Sequence, residues 1–198
     1  MRKAVLSVMM IGILAACGAA PAKRYFELSI AAIAGPAVPR VDRTLAIEPT
    51  TVARLYDNIR IPYRVSDFEL KYYPYEFWAQ DPGRVVDAAL AGFFRAKPVF
   101  TRLAGFAPDS DQDITLRPRL HVIEEVDAAA EWQARLAMTL EFVEAKSGKV
   151  LVTHSFDRTA RMAVKKVEAL PEALSRILEQ ELAAAVVELA KALEKKAG

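Results

Sequence analysis

The chain has 198 residues, 53% of them hydrophobic, with 27 basic and 25 acidic side chains and one cysteine. So small a charge excess gives no electrostatic footprint for a nucleic-acid partner, and a lone cysteine excludes an internal disulfide. A chain of this length can be held together by a hydrophobic core alone.

Residues 1–16 are predicted to be an export signal. Arg2 and Lys3 form a basic start, and the apolar run that follows is shorter than the roughly 20 residues a membrane-spanning helix needs. The run ends in Leu14-Ala15-Ala16-Cys17, which resembles the bacterial lipobox, so lipidation of Cys17 is expected. An ordinary secretory signal followed by an incidental cysteine is the alternative. Without Arg2 and Lys3 the basic residues number 25, equal to the 25 acidic residues.

Residues 17–24 are predicted to form a lipidated tether, and residues 25–198 the domain it carries. Fully extended, the tether spans roughly 25 Å, so the domain stays close to one leaflet. Gly18 follows the cysteine, whereas an aspartate at this position causes retention in the inner membrane of many lipoproteins that resemble this one. In a cell with two membranes, this favours the periplasmic leaflet of the outer membrane.

Two short strands are predicted near the start of the domain. Apolar and polar residues alternate over residues 25–30, and Leu45 and Ile47 point inward in a second stretch over residues 44–48. The two strands could pair across the intervening loop. Residues 60–70 contain a further extended stretch, which leads into an aromatic run over residues 72–78.

The rest of the chain predicts a helix, three strands and a second helix. Asp81 is suited to an N-cap and Pro82 to the first helical position, and Pro98 ends the helix. Strands follow over residues 114–122, 133–145 and 150–160, the last two forming a hairpin. Pro118 indicates an edge position or a bulge. A long amphipathic helix begins near Leu170, and the order of elements predicts one α/β domain with a mixed sheet of about five strands and two main helices.

Motifs for catalysis or cofactor binding are not recognised in the sequence. His121 and His154 lie on predicted strands without metal-ligand spacing, and neither a phosphate-binding glycine loop nor a nucleophile elbow is found. Residues 109–113 begin like a calcium loop, but the sixth and twelfth positions hold Ile114 and Leu120. The sequence therefore predicts no enzyme, no cofactor and no metal site.

Two groups of charged residues are interpreted as solvent-facing. The acidic residues Glu124, Glu125 and Asp127 are expected at the end of a hairpin, exposed to water. Arginines on one strand face could bind lipid phosphates, but a face of ion pairs with neighbouring carboxylates is the favoured reading for Arg117, Arg119 and Arg135.

Aromatic residues are concentrated within 23 residues, and they suit either a core or a recognition surface. The set consists of Tyr56, Tyr63, Phe68, Tyr72, Tyr73, Tyr75, Phe77 and Trp78. Phe77 and Trp78 are expected in the core, because an aromatic pair next to a helix is difficult to solvate. Tyr72 and Tyr75 are expected on the surface, because Pro74 interrupts strand pairing around them.

The motifs together resemble the ABC-type transport auxiliary lipoproteins, the PqiC-like components associated with MCE-domain lipid transporters. The resemblance rests on the lipobox, Arg24-Tyr25-Phe26-Glu27-Leu28, Leu45-Ala46-Ile47-Glu48-Pro49, Ile61-Pro62-Tyr63-Arg64 and Phe77-Trp78-Ala79. It implies an α/β domain like the N-terminal domain of TolB, a place at the outer membrane, and an MCE-domain partner that leads to an inner-membrane transport complex.

The resemblance supplies no agreed functional residue beyond Cys17. The candidate residues for binding a partner or a lipid are Tyr63, Arg64, Tyr72, Tyr75 and Trp78. The leading hypothesis is a non-enzymatic docking subunit at the outer membrane. The alternatives are a periplasmic lipid carrier, whose aromatic segment and amphipathic helix enclose an acyl chain, and an envelope hydrolase, for which no nucleophile and base are recognisable.

Overall fold

The computed structural model describes residues 21–30, 37–105, 111–128 and 131–197, so the predicted signal and Cys17 lie outside the described residues. In the described part of the chain, nine strands form one mixed sheet, and two helices accompany it. The expected α/β class with two main helices is confirmed, although the sheet is larger than the five strands expected. Within the described ranges, no helix has both the length and the apolar character needed to cross a membrane.

The strands and helices follow one another in a simple order. They are β1 (Arg24–Phe26), β2 (Val41–Ile47), β3 (Thr51–Val52), β4 (Arg60–Ser66), β5 (Glu69–Trp78), α1 (Pro82–Ala96), β6 (Phe100–Gly105), β7 (Ile114–Ala128), β8 (Glu131–Glu144), β9 (Val150–Arg161) and α2 (Leu170–Ala197). Single 3-10 turns lie at Arg54–Tyr56 and Val167–Ala169.

Strand β7 lies at the centre of the sheet. One edge pairs with β8 in an antiparallel hairpin, and β8 continues into an antiparallel pair with β9. The other edge of β7 is shared by β2, β3 and β4, which all run parallel to it. Beyond them, β6 pairs with β2, β5 pairs with β4, and β1 pairs with β5.

The expected pairing of the first two strands is wrong. Strand β1 pairs with β5, with Arg24 opposite Glu76, whereas β2 lies between β6 and β7. Leu45 and Ile47 are fully buried, and so is Ala46 between them. A strand covered on both faces needs neighbours on both edges, and local alternation does not say which distant strands these are.

Pro118 lies in the interior of the sheet and not at an edge. The carbonyls of Leu116 and Leu120 both accept hydrogen bonds from the chain that forms β2 and β3, from the N–H groups of Glu48 and Ala53. Alternate residues of a strand face the same edge, so Pro118 faces the gap between β2 and β3. Its missing N–H group falls on the edge of β7 that faces this gap, where neither β2 nor β3 pairs with it, which is why proline is tolerated there.

The helices bury their apolar stripes against the sheet. The apolar stripe that helical spacing predicts for α1 is buried, namely Val85, Val86, Ala89, Leu90, Phe93 and Phe94. The helix begins after Asp81 with Pro82 in its first turn. The Asp81 side chain does not form the capping hydrogen bond. In α2 the residues facing the core are Leu170, Leu174, Ile177, Leu178, Leu182, Val186 and Leu189.

The β8–β9 hairpin has the turn that the sequence predicts. Gly148 adopts a φ of +69°, a left-handed conformation that side chains with a Cβ rarely adopt. Its N–H group donates to the carbonyl of Glu144 at 2.9 Å. The turn at residues 145–149 therefore depends on this glycine.

Trp78 ends β5 inside the core, with 1% of its surface exposed, and Phe77 is also buried. Both expectations for this pair are confirmed. We predict that Trp78→Ala lowers the free energy of unfolding by ~3–5 kcal/mol, because it leaves a large cavity. Chemical denaturation of the protein from Ala22 onward measures this change.

Trp78→Phe is the matched control for this prediction. The indole Nε1 of Trp78 finds no hydrogen-bond partner among the described residues, so a phenyl ring loses volume but no polar contact. It should lower stability by less than about half as much as alanine does. Equal stability of Trp78→Ala and wild type would contradict the burial of this ring.

Candidate functional site

Glu124 and Glu125 are both fully buried, with 0% of their surface exposed. The expectation that these carboxylates face solvent is therefore wrong. They lie next to each other near the end of β7, so their side chains leave opposite faces of the sheet. Strand β4 pairs with this part of β7, Tyr63 opposite Glu125, and covers it. Each carboxylate consequently needs partners within the protein.

Glu124 is held by two arginines and a tyrosine. The Arg64 Nε donates to one carboxylate oxygen at 2.7 Å, and Arg135, the residue opposite Glu124 on β8, approaches the same oxygen at 3.3 Å. The Tyr56 hydroxyl donates to the other oxygen at 2.6 Å. Burial and this carboxylate raise the pKa of Tyr56 to about 12. Arg135 also donates twice to Asp157 on β9, so the network spans four strands and a turn.

Glu125 has a weaker set of partners on the other face. The Tyr73 hydroxyl donates to one oxygen at 2.7 Å, while the second oxygen has no hydrogen-bond partner in the described part of the chain. Burial raises the pKa of Glu125 to about 7, from an ordinary value of 4.5. Burial and the nearby carboxylate also raise the pKa of Tyr73. The Tyr63 ring packs on Tyr73 with centroids 4.6 Å apart.

Strands β4 and β5 form a hairpin, residues 60–78, that we call the aromatic hairpin. Its pairing slips in the middle: Arg60 lies opposite Phe77, but Pro62 lies opposite Tyr72. Residues 73–76 of β5 are therefore a bulge, and Pro74 lies within it, as expected from its missing N–H group. The bulge leaves Tyr73 free to reach Glu125 and Glu76 free to bind Arg24 at 2.6 Å.

The candidate residues do not form one site. Arg64 joins the Glu124 network, and Tyr63 lies beside the Glu125 pair. Tyr72 is partly exposed and donates its hydroxyl proton to the Leu55 carbonyl at 2.9 Å. Tyr75 is also partly exposed, whereas Trp78 is in the core. Tyr72 and Tyr75 are thus the partly exposed candidates whose side chains are not bound to the buried carboxylates or packed on their partners.

The arginines of the sheet face are paired with carboxylates, which is the alternative that the sequence favours. Arg117 binds Glu48 at 2.9 Å and Arg119 binds Glu141 at 3.0 Å. His154 lies between Glu181 and Glu188 of α2, at 2.8 and 3.1 Å, and His121 contacts Thr139. Of the calcium-like loop, Asp109 and Ser110 lie outside the described residues, and the Asp113 carboxylate accepts the backbone N–H of Thr44.

Sequence reasoning missed the roles of Glu124, Glu125, Tyr56, Tyr73 and Arg135. One signal was available in the hairpin that β7 and β8 form. Its register places Arg135 opposite Glu124, and opposite charges that face each other across two strands are a stabilising pair. The burial of Glu125 had no such signal, because it depends on the arrival of β4 from a distant part of the chain.

The network is enclosed and polar, and it resembles a structural anchor more than a reactive centre. A general base must lie within hydrogen-bond reach of a substrate proton, whereas both carboxylates are shielded from solvent. The side chains that bind them come from the 3-10 turn, the aromatic hairpin and β8. Their combined effect is to fix the aromatic hairpin to the central strand.

The family model of the ABC-type transport auxiliary lipoprotein component matches residues 26–187 of this sequence. The chain belongs to this family. As a transport auxiliary lipoprotein, it is associated with the cell envelope and with an ABC-type transport system. A comparison with curated proteins found no match.

Two crystal structures share the fold of this lipoprotein. Protein XCC0632 from Xanthomonas campestris superposes with a TM-score of 0.69 at 18% identity, over 88% of this chain and 97% of that chain. An uncharacterized protein superposes with a TM-score of 0.62 at 15% identity, over 88% of this chain and 99% of that chain. At such low identities the likeness shows the fold alone.

The raised pKa of Glu125 predicts a pH-dependent stability. Because the folded protein holds this proton more tightly than the unfolded chain does, the contribution is fully present below about pH 4.5 and is lost as the pH rises through about 7. The loss amounts to about 3 kcal/mol. Glu125→Gln removes the titration, so its stability relative to wild type should rise by that amount across this window in chemical denaturation experiments.

Glu124→Gln serves as the contrasting variant. It leaves Arg64 and Arg135 without the carboxylate they share, and should lower stability near neutral pH by about 3 kcal/mol. If the difference between Glu125→Gln and wild type did not change between acidic and neutral pH, the raised pKa of Glu125 would be wrong.

Proposed function

We propose that this lipoprotein is a non-enzymatic docking subunit of an MCE-type intermembrane lipid transport system, anchored in the periplasmic leaflet of the outer membrane. In this proposal residues 1–16 are the signal, residues 17–24 the lipidated tether and residues 25–198 the docking domain. One observation carries it: two buried carboxylates fix the aromatic hairpin, which keeps Tyr72 and Tyr75 partly exposed.

A fixed hairpin suits a docking role because a preorganised surface loses little conformational entropy on binding. Tyrosine and arginine are also the residues that most often dominate interfaces. The Tyr72 hydroxyl is oriented by the Leu55 carbonyl, and Leu55 itself is an exposed apolar side chain beside it. The two form a small aromatic and aliphatic surface that a partner can cover.

The MCE-domain partner follows from the family resemblance and from the length of the tether. A tether of roughly 25 Å keeps the domain at its own leaflet, so an inner-membrane transport complex can reach it only through a protein that bridges the periplasm. The MCE-domain protein is proposed as that bridge. Membership in the transport auxiliary lipoprotein family supports the association with an ABC-type transport system.

A carrier in which the aromatic segment and α2 enclose an acyl chain is less well supported by the packing. The apolar face of α2 is already used, since Leu174, Leu178 and Leu182 are fully buried in the core. A cavity of about 570 Å³ lies beside the start of α1, but Asp57, Asp81, Arg84 and Asp87 line it. Such a charged lining does not suit an acyl chain.

The docking surface can be tested by substituting both tyrosines. We predict that Tyr72→Ala/Tyr75→Ala weakens association with the MCE-domain partner by about 2 kcal/mol, roughly 30-fold in Kd. Binding of the purified proteins by surface plasmon resonance measures it. Stability should fall by less than it does for Trp78→Ala, because neither ring is fully buried.

The matched control is Thr153→Ala/Thr159→Ala, a pair of exposed positions on β9. It should leave the affinity unchanged. Equal affinities for the tyrosine and threonine variants would move the docking surface away from the aromatic hairpin, and binding of neither protein to any MCE domain would contradict the proposed partner.

Lipidation of Cys17 is a separate test. Since the sequence contains no other cysteine, Cys17→Ala should abolish incorporation of labelled palmitate and leave an uncleaved precursor. Wild type should carry the label and fractionate with the outer membrane. Label in the alanine variant, or wild type found in the inner membrane, would contradict the anchor or its location respectively.

A further inference from the structure

The tip of the aromatic hairpin carries Phe68, whose side chain is 99% exposed. Ser66 pairs with Glu69, so Asp67 and Phe68 form the turn itself. The Phe68 backbone N–H donates to the Ser66 hydroxyl, but its ring adds nothing to the core. The fold therefore gives no reason for an aromatic residue at this position.

The sheet register shows which other segments lie at the same end. Arg64 is level with Val126 of β7, and Gln133 of β8 is level with Arg161 of β9. The turn at Phe68, the end of β7, the start of β8 and the segment after β9 consequently share one end of the sheet. Val164 in that last segment is also 53% exposed.

Strand β1, the first strand after the predicted tether, runs in the direction that leads away from this end. Strand β5 starts at the hairpin tip, and β1 runs parallel to it, with Tyr25 opposite Phe77. The start of β1 therefore faces the side of the tip. Cys17 lies on that side in the sequence, eight residues before Tyr25.

The length of the tether limits how far beyond the tip the lipid-bearing residue can lie. Phe77 lies opposite both Tyr25 and Arg60. Six residue steps along β4 lead from Arg60 to Ser66 at the tip. Tyr25 is therefore about 20 Å from the tip along the sheet. The eight residue-to-residue steps from Cys17 to Tyr25 span at most about 28 Å. Even a fully extended tether that runs past the tip therefore places Cys17 at most about 8 Å beyond it.

We propose that this end of the sheet rests on the phospholipid leaflet that holds the acyl chains of Cys17, with the Phe68 ring inserted at the headgroup level. The inference rests on the proposed lipidation. An aromatic ring at this depth is favourable, and the exposed Lys165 and Lys166 suit lipid phosphates. Glu69 is paired with Lys71. Asp67 is the remaining acidic group of the turn, and in this proposal its carboxylate faces the ammonium group of phosphatidylethanolamine.

The contact can be measured with the acylated full-length mature protein in vesicles of phosphatidylethanolamine and phosphatidylglycerol. Because the thioether consumes the Cys17 thiol, Asp67→Cys introduces the only thiol that a polarity-sensitive dye can label. Lys149→Cys, in the β8–β9 turn at the opposite end of the sheet, is the matched control. Nitroxide lipids should quench the dye at residue 67 several-fold more than at residue 149, with a blue-shifted emission at residue 67.

A second variant tests Phe68 itself. Phe68→Ser combined with Asp67→Cys should lose most of the quenching and the blue shift, without loss of folding, because the side chain is exposed. Equal quenching at residues 67 and 149 in protein that floats with the vesicles would overturn the lipid contact alone. Protein that does not float would overturn the anchor and this inference with it. Shielding of residue 67 only after an MCE-domain protein is added would assign Phe68 to that partner, and would also overturn the lipid contact.

Discussion

Backbone N–H and C=O groups in the interior of a sheet must be hydrogen-bonded on both edges, and the 15-residue strand β7 presents more of them than any other strand here. Strand β8 satisfies one edge along its whole length. The other edge is covered by one stretch of chain that pairs as β2, breaks, pairs as β3, breaks again, and returns as β4. The position of most other elements depends on these two breaks.

The first break accommodates Pro118, and the second allows the 3-10 turn to place Tyr56 over Glu124. Strand β4 then closes over the end of β7 and buries both carboxylates. Buried ion pairs contribute little net stability compared with apolar packing, but breaking one is costly. The network of Glu124, Arg64 and Arg135 therefore fixes the direction of the aromatic hairpin more than it stabilises the fold.

The direction of the aromatic hairpin bears on both proposals, the membrane contact and the docking surface. Because β1 runs parallel to β5, the start of β1 faces the side of the hairpin tip, while Tyr72 and Tyr75 lie further along β5. In the two proposals above, the tip end of the domain contacts the leaflet and the side of the aromatic hairpin contacts a partner. A domain held against its own membrane in one orientation is a suitable fixed point for a complex that arrives from the opposite membrane.

The sequence by itself determined the features that depend on neighbouring residues. The N-terminus of α1 at Asp81 and Pro82, the buried stripes of both helices, the β8–β9 hairpin and the bulge at Pro74 all follow from spacing, capping or missing donors. The family resemblance also came from short motifs, and the match over residues 26–187 confirms it. The tertiary structure decided the partners of β1 and β2, the interior place of Pro118 and the burial of Glu124 and Glu125. These depend on which distant strand arrives at each edge, and residues far apart in the chain pair for reasons of register and shared burial that no local pattern records.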